Sequence, residues 1–72
     1  MKLNYFADTD SLYIELAEQP STESKEVSEG VVIDYDASGN LVGIDIDNAS
    51  AKVDMRILQL VNLTARVETV AA

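Results

Sequence analysis

Along most of the chain, apolar and polar positions alternate with a period of two, the pattern of strands that bury one face only. Leu12, Ile14 and Leu16 point one way, while Ser11, Tyr13 and Glu15 point the other. The same alternation sets Val31, Ile33 and Tyr35 against Val32, Asp34 and Asp36, and then Val42, Ile44 and Ile46 against Leu41, Gly43, Asp45 and Asp47. These two runs meet at Ser38-Gly39-Asn40, so residues 31–47 are expected to form a central hairpin with Val31, Ile33, Ile44 and Ile46 on one apolar face. The opposite face collects Asp34, Asp36, Asp45 and Asp47, two residues apart on each strand and so about 6.6–6.8 Å apart along it. Gly43, inside the second strand, marks a bulge or a point of close approach.

The flanking segments extend this pattern. Leu3 to Ala7 is short and aromatic-rich and stops at Asp8-Thr9-Asp10, a turn-forming run, so it pairs as a hairpin with the strand around Leu12. The polar stretch Glu18 to Glu23 contains Pro20, which cannot donate to a sheet ladder, and reads as a surface loop. Ser24-Lys25-Glu26-Val27-Ser28 reads as a short edge strand whose charges discourage pairing with another chain. Glu29-Gly30 supplies the next turn.

Beyond the hairpin the period changes. Asn48 is a good N-cap residue, and Val53, Ile57, Leu60 and Val61 follow at the spacing of an amphipathic helix that would cover the apolar sheet face. From Val61 the period returns to two, with Val61, Leu63, Ala65 and Val67 alternating with Asn62, Thr64, Arg66 and Glu68, which predicts a final short strand. Strands first and helix late predict an α+β domain: an antiparallel β-meander of four to five strands with one C-terminal helix packed on one face. Residues 1–72 form a single domain, and a chain of this size has a thin core.

Composition narrows the chemistry. The chain has no cysteine and no histidine, which removes disulfides, thiolate or imidazole zinc sites, Ser-His and Cys-His pairs and imidazole acid-base catalysis. The net charge is −8, and it sits at the front: residues 1–50 carry eleven acids against Lys2 and Lys25, whereas residues 51–72 carry three basic and two acidic side chains. Such a field repels nucleic acid and anionic lipid and attracts basic proteins or cations. No apolar run has the length of a signal peptide core or a membrane span, so a cytoplasmic location is the expectation.

The aspartate hairpin also overlaps a metal pattern. Asp34, Asp36, Ser38, Asn40 and Asp45 fall at positions 1, 3, 5, 7 and 12 of a twelve-residue calcium loop, with Gly39 at position 6. Three features depart from that loop. Position 12 is Asp45 where the motif uses a bidentate glutamate, position 9 is Val42, and the flanks are strands where the motif needs helices. An ordinary hairpin with Gly39 in the left-handed conformation explains the same residues and is the favoured reading.

Other candidates have simpler structural explanations. Asp8 and Asp10 could be paired acid-base carboxylates, yet one residue apart in a turn they serve more simply as Asx caps. Tyr5, Tyr13 and Tyr35 could form an aromatic binding surface, but half-buried strand positions suit tyrosine. Lys25, Lys52, Arg56 and Arg66 read as surface charges, and no catalytic constellation or cofactor motif stands out.

Taken together, Asp8-Thr9-Asp10-Ser11-Leu12-Tyr13-Ile14-Glu15-Leu16, Glu29-Gly30-Val31-Val32-Ile33-Asp34-Tyr35-Asp36, Gly39-Asn40-Leu41-Val42-Gly43-Ile44-Asp45-Ile46 and Asn48-Ala49-Ser50 resemble the YuzE-like family of small prokaryotic proteins, across roughly residues 3–52. The resemblance implies an antiparallel meander with a packed helix and implies no activity, because the family is a domain of unknown function. Its members are suspected partners of a basic, ribonuclease-like protein encoded next door, in the manner of an antitoxin. No functional residue can be carried over.

The sequence thus favours a non-enzymatic, self-associating interaction module whose surface, comprising Asp34, Asp36, Asp45 and Asp47, engages a basic protein. Phe6, Val32 and Leu41, predicted on that same face, would add apolar contact area to a partner or a second subunit. The alternatives are a divalent-cation module at Asp34, Asp36, Ser38, Asn40 and Asp45 and, ranked last, a carboxylate enzyme.

Overall fold

The computed structural model of the chain describes residues 1–54 in full and the backbone of 66–70. The elements are β1 (Lys2–Phe6), β2 (Ser11–Glu15), β3 (Glu23–Ser28), β4 (Val31–Tyr35), β5 (Leu41–Ile46), α1 (Ala49–Lys52) and β6 (Arg66–Val70). They make one sheet in the order β3-β4-β5-β2-β1-β6. The five strands β1 to β5 pair antiparallel, as period-two alternation predicts for an α+β domain with a short helix after the strands.

Two details of the topology go beyond the alternation. The β1–β2 hairpin and the β3–β4–β5 meander join through β2 and β5, so residues 16–22 carry the chain from β2 to the far edge of the sheet. The final strand, Arg66–Val70 among the described residues, runs parallel to β1. Residues 61–65, where the alternation places the start of that strand, lie outside the described residues.

Register explains where the core sits. Leu3, Ile14, Ile44 and Ile33 stand opposite one another across four strands, and Tyr5, Leu12, Ile46 and Val31 form the neighbouring row. Leu3, Leu12, Ile46 and Ala49 are buried, with Tyr5, Ile14, Val31 and Ile44 packed against them. The predicted apolar face of the central hairpin is therefore the core face of the sheet. Ala49, fully buried, shows that α1 lies against that face.

The helix itself corrects the amphipathic stripe. It is a single turn that ends at Lys52, and Val53 is extended with φ −129° and ψ 149°. Val53 thus leaves the helix where the spacing predicts its first apolar contact. Ile57, Leu60 and Val61 lie outside the described residues. Asn48 occupies the N-cap position in the left-handed conformation, but its side chain makes no capping hydrogen bond. The cap comes from the β1–β2 turn: the Asp10 carbonyl accepts from the Ala49 N–H at 2.8 Å, and the Asp10 carboxylate accepts from the Ser50 N–H at 3.1 Å and the Ser50 hydroxyl at 2.6 Å. Forty residues separate cap and helix, a contact that no local cap motif encodes.

The central hairpin carries one irregularity. Asp34 stands opposite Gly43 but Tyr35 stands opposite Leu41, leaving Val42 as the extra residue of a bulge. The shift brings Leu41 to the register position of Tyr35, which strict alternation assigns to the other face from Leu41. Val42 becomes one of the most deeply buried side chains, at 2% exposure, and its carbonyl accepts from the Leu16 N–H at 2.8 Å.

Candidate functional site

The face opposite the core is built in two rows. Asp45 stands between Val32 and Tyr13, with Asn4 beyond, while Gly43 stands between Asp34 and Glu15, with Lys2 beyond. Asp34 and Asp45, expected together from the alternation, share this face. Asp34 accepts from the Ser24 hydroxyl at 2.6 Å and from the Tyr13 hydroxyl at 3.2 Å. Burial pushes the Tyr13 phenol up, and the hydrogen bond that it donates to the Asp34 carboxylate adds to the shift.

Tyr13 reaches Asp34 by crossing Gly43. A Cβ at residue 43 would overlap the Tyr13 hydroxyl and Cζ and come within 3.1 Å of Cε1. Glycine is needed there for the close approach of the ring, so the isolated glycine is the sequence signal for the packed phenol. The bulge that its position also suggested lies next to it, at Val42.

Asp45 is the electrostatic centre of the face. Partial burial raises its carboxyl above the ordinary aspartate value, and the nearby charges of Asp47 and Asp34 raise it further. The hydroxyl of Tyr13, which stands opposite Asp45, donates to Asp34. A cationic group placed between the carboxylates would relieve the repulsion.

Asp36 departs from the predicted set. Its Oδ1 accepts from the Ser38 and Asn40 N–H groups, both at 2.9 Å, and its Oδ2 from the Asn40 side-chain amide at 3.5 Å. The Asn40 N–H, followed by Ser38 and the Asn40 amide, holds the Asp36 carboxyl below the usual aspartate range. Asp36 therefore staples the turn and does not extend the acidic face. Ser38 and Asn40 are exposed in that turn, and Gly39 has φ 83°, the left-handed conformation the hairpin reading requires. Strands β4 and β5, not helices, flank the loop. Among the described residues no group of three or more acidic side chains is gathered in a metal-holding arrangement.

Asp47 follows β5 and is exposed. Its carbonyl accepts from Lys52 Nζ and its N–H donates to the Gly30 carbonyl at 2.8 Å, which ties the end of α1 to the β3–β4 turn. Of the apolar residues expected on this face, Phe6 and Val32 are half-buried, whereas Leu41 is 46% exposed at the position that the bulge moves. Asp8 and Asp10 do not act as a pair: Asp8 is exposed in its turn, and Asp10 is engaged by Ser50 and by the Tyr5 hydroxyl at 2.7 Å.

A family model described as a protein of unknown function (DUF2283) matches residues 2–50. The chain belongs to this family. The match takes in all of β1 to β5 and the Asp10–Ser50 contact, so the aspartate face is part of the family domain. Neither the curated proteins nor the solved structures give a match. Among the described residues no helix is long and apolar enough to cross a membrane.

Proposed function

We propose that this DUF2283 domain is a YuzE-like, non-enzymatic interaction module of the cytoplasm whose aspartate face docks a basic protein, in the manner of an antitoxin on its partner. The observation that supports this reading is the confined charge at Asp45. Partial burial, and after it the charges of Asp47 and Asp34, raise the Asp45 carboxyl above the ordinary aspartate value. Such an arrangement costs stability in the isolated chain and is relieved by a cation brought to the face. Arginine and lysine side chains on a partner would supply it, and the front-loaded negative charge would speed the encounter.

Calorimetry with the protein encoded by the neighbouring gene tests the reading. Binding that weakens about tenfold or more on Asp45→Asn or Asp34→Asn, and that falls steeply with salt, is the expected result. Binding indifferent to both substitutions would remove the aspartate face from the interaction.

The second reading, a divalent-cation module over Asp34, Asp36, Ser38, Asn40 and Asp45, draws on the same crowding at Asp45. It is the weaker one because the Asp36 carboxylate is already taken by turn amides. Calcium titration followed by the NMR shifts of the Asp34, Ser38 and Asp45 amides decides it. No saturable change at about millimolar calcium, the weak end of protein calcium sites, ends it.

A further inference from the structure

Among the described residues β3 is an edge of the sheet, bordered by β4 on one side only, and all six of its residues are exposed. Glu23 and Lys25 stand opposite Tyr35 and Ile33 of β4 and share the core face, whereas Ser24 and Glu26 stand opposite Asp34 and Val32 and share the aspartate face. The 2.6 Å bond from the Ser24 hydroxyl to Asp34 agrees with that assignment. The strand is regular from Glu23 to Glu26, and its register shifts between Glu26 and Ser28.

These placements discriminate among the ways two copies could join. Edge strands related by a two-fold axis pair antiparallel with like faces together, so only residues of the same face can stand opposite one another. An axis at Glu23, Lys25 or Glu26 sets that charge against its own copy, which is destabilising across a strand pair. An axis at Ser24 instead sets Glu23 opposite Lys25 of the second copy, twice by symmetry, and leaves Ser24 facing Ser24. Charges that deter pairing in the neighbouring registers are complementary in this one.

We propose that β3 is a self-association edge, in which two copies of this chain pair antiparallel about Ser24 through reciprocal Glu23–Lys25 contacts. The contact is isologous and closes on itself, giving a dimer with a continuous sheet across both copies. The acidic faces do not prevent it. With strands about 4.8 Å apart the two Asp34 residues would lie roughly 14 Å from each other, beyond the screening length of about 8 Å at physiological salt. The regular segment is short, well below a standard interface, so the dimer is weak and concentration-dependent, with a dissociation constant of about 100 μM or more. The inference uses side chains outside the basic-partner reading and stands or falls apart from it.

Sedimentation equilibrium of the full chain up to about 1 mM tests it, a range that covers weak dimers. The wild type is expected to form a dimer. Glu23→Lys and Lys25→Glu are each expected to weaken it by about tenfold, since each replaces two attractive pairs with two repulsive ones. The combined E23K/K25E chain is expected to recover it. Net charge alone predicts otherwise, because Glu23→Lys lowers the overall repulsion and Lys25→Glu raises it. Both positions are exposed, and circular dichroism of each variant checks that the fold is retained. Concentration-dependent NMR shifts confined to Glu23–Glu26 support the same edge. A monomer at every concentration overturns the proposal, as does a dimer that both single substitutions leave intact or that the double exchange fails to restore.

Discussion

The phenol of Tyr13 lies across the backbone of Gly43 and donates to Asp34 at 3.2 Å. One contact thus spans β2, β5 and β4 on the face away from the core. Gly43→Ala forces the ring aside and is expected to destabilise the fold by about 1–3 kcal/mol, the usual range for overpacking. Tyr13→Phe keeps the packing but loses the bond to Asp34, at about 0.5–1.5 kcal/mol. Denaturant unfolding of both variants and of Tyr13→Ala/Gly43→Ala checks this. The two sites should couple, so that Gly43→Ala costs less once the ring is gone.

A single carboxylate, that of Asp10, holds the start of α1. It accepts from the Ser50 N–H and hydroxyl and from the Tyr5 phenol, and its residue adopts φ 53°. Asp10→Gly tolerates the backbone but loses all these bonds, Asp10→Ala adds backbone strain, and Asp10→Asn keeps part of the pattern and tolerates φ > 0. Stability is therefore expected to fall in the order Asp, Asn, Gly, Ala. Thermal unfolding ranks the series, and faster amide exchange at Ala49 and Ser50 locates the effect.

Turn chemistry makes a separate prediction at Gly39. Its φ is 83° and, among the described residues beyond its chain neighbours, no atom lies within 4 Å of where a Cβ would stand, so the penalty for Gly39→Ala is conformational. A loss of about 1–2 kcal/mol is expected. Gly39→Asn, which tolerates the left-handed region, should cost less. Chemical denaturation of the two variants gives the comparison.

The pH dependence contains two opposed effects. Asp10 is held below the ordinary aspartate value by Ser50 and Tyr5, and Asp36 by the Asn40 and Ser38 amides. Their contributions are present above the unfolded aspartate pKa and are lost as pH falls through the depressed folded values. Asp45 is shifted the other way, so the folded chain binds its proton first, and stability rises as pH falls from its raised value toward the ordinary one. Unfolding free energy is therefore expected to rise slightly on mild acidification and then drop as Asp36 and Asp10 protonate. Asp45→Asn should abolish the rise and leave the drop, which urea titrations across the acid range will show.

Local pattern encoded β2, β4 and β5 because one face of each had to be apolar. Leu12 and Ile14, Val31 and Ile33, and Ile44 and Ile46 announce their core face by spacing alone, and Gly39 announces the turn. Asp34 and Asp45 on the opposite face were legible for the same reason. The role of Asp36 was not, since a carboxylate that could continue the face or fold back onto turn amides has the same identity in both cases.

What the sequence by itself determined, then, was the set of strands, their buried face, the turns at Gly30 and Gly39 and the acidic character of the chain. All of these follow from spacing, backbone freedom and charge, which are local or additive. Only the tertiary structure decided that β5 inserts beside β2, that the last strand runs parallel to β1, that Val42 bulges and moves Leu41, and that Asp10 caps a helix turn forty residues away. Each of these depends on which distant segments meet. That choice is made by collective burial of the sheet's core face, which no single stretch of the chain can express.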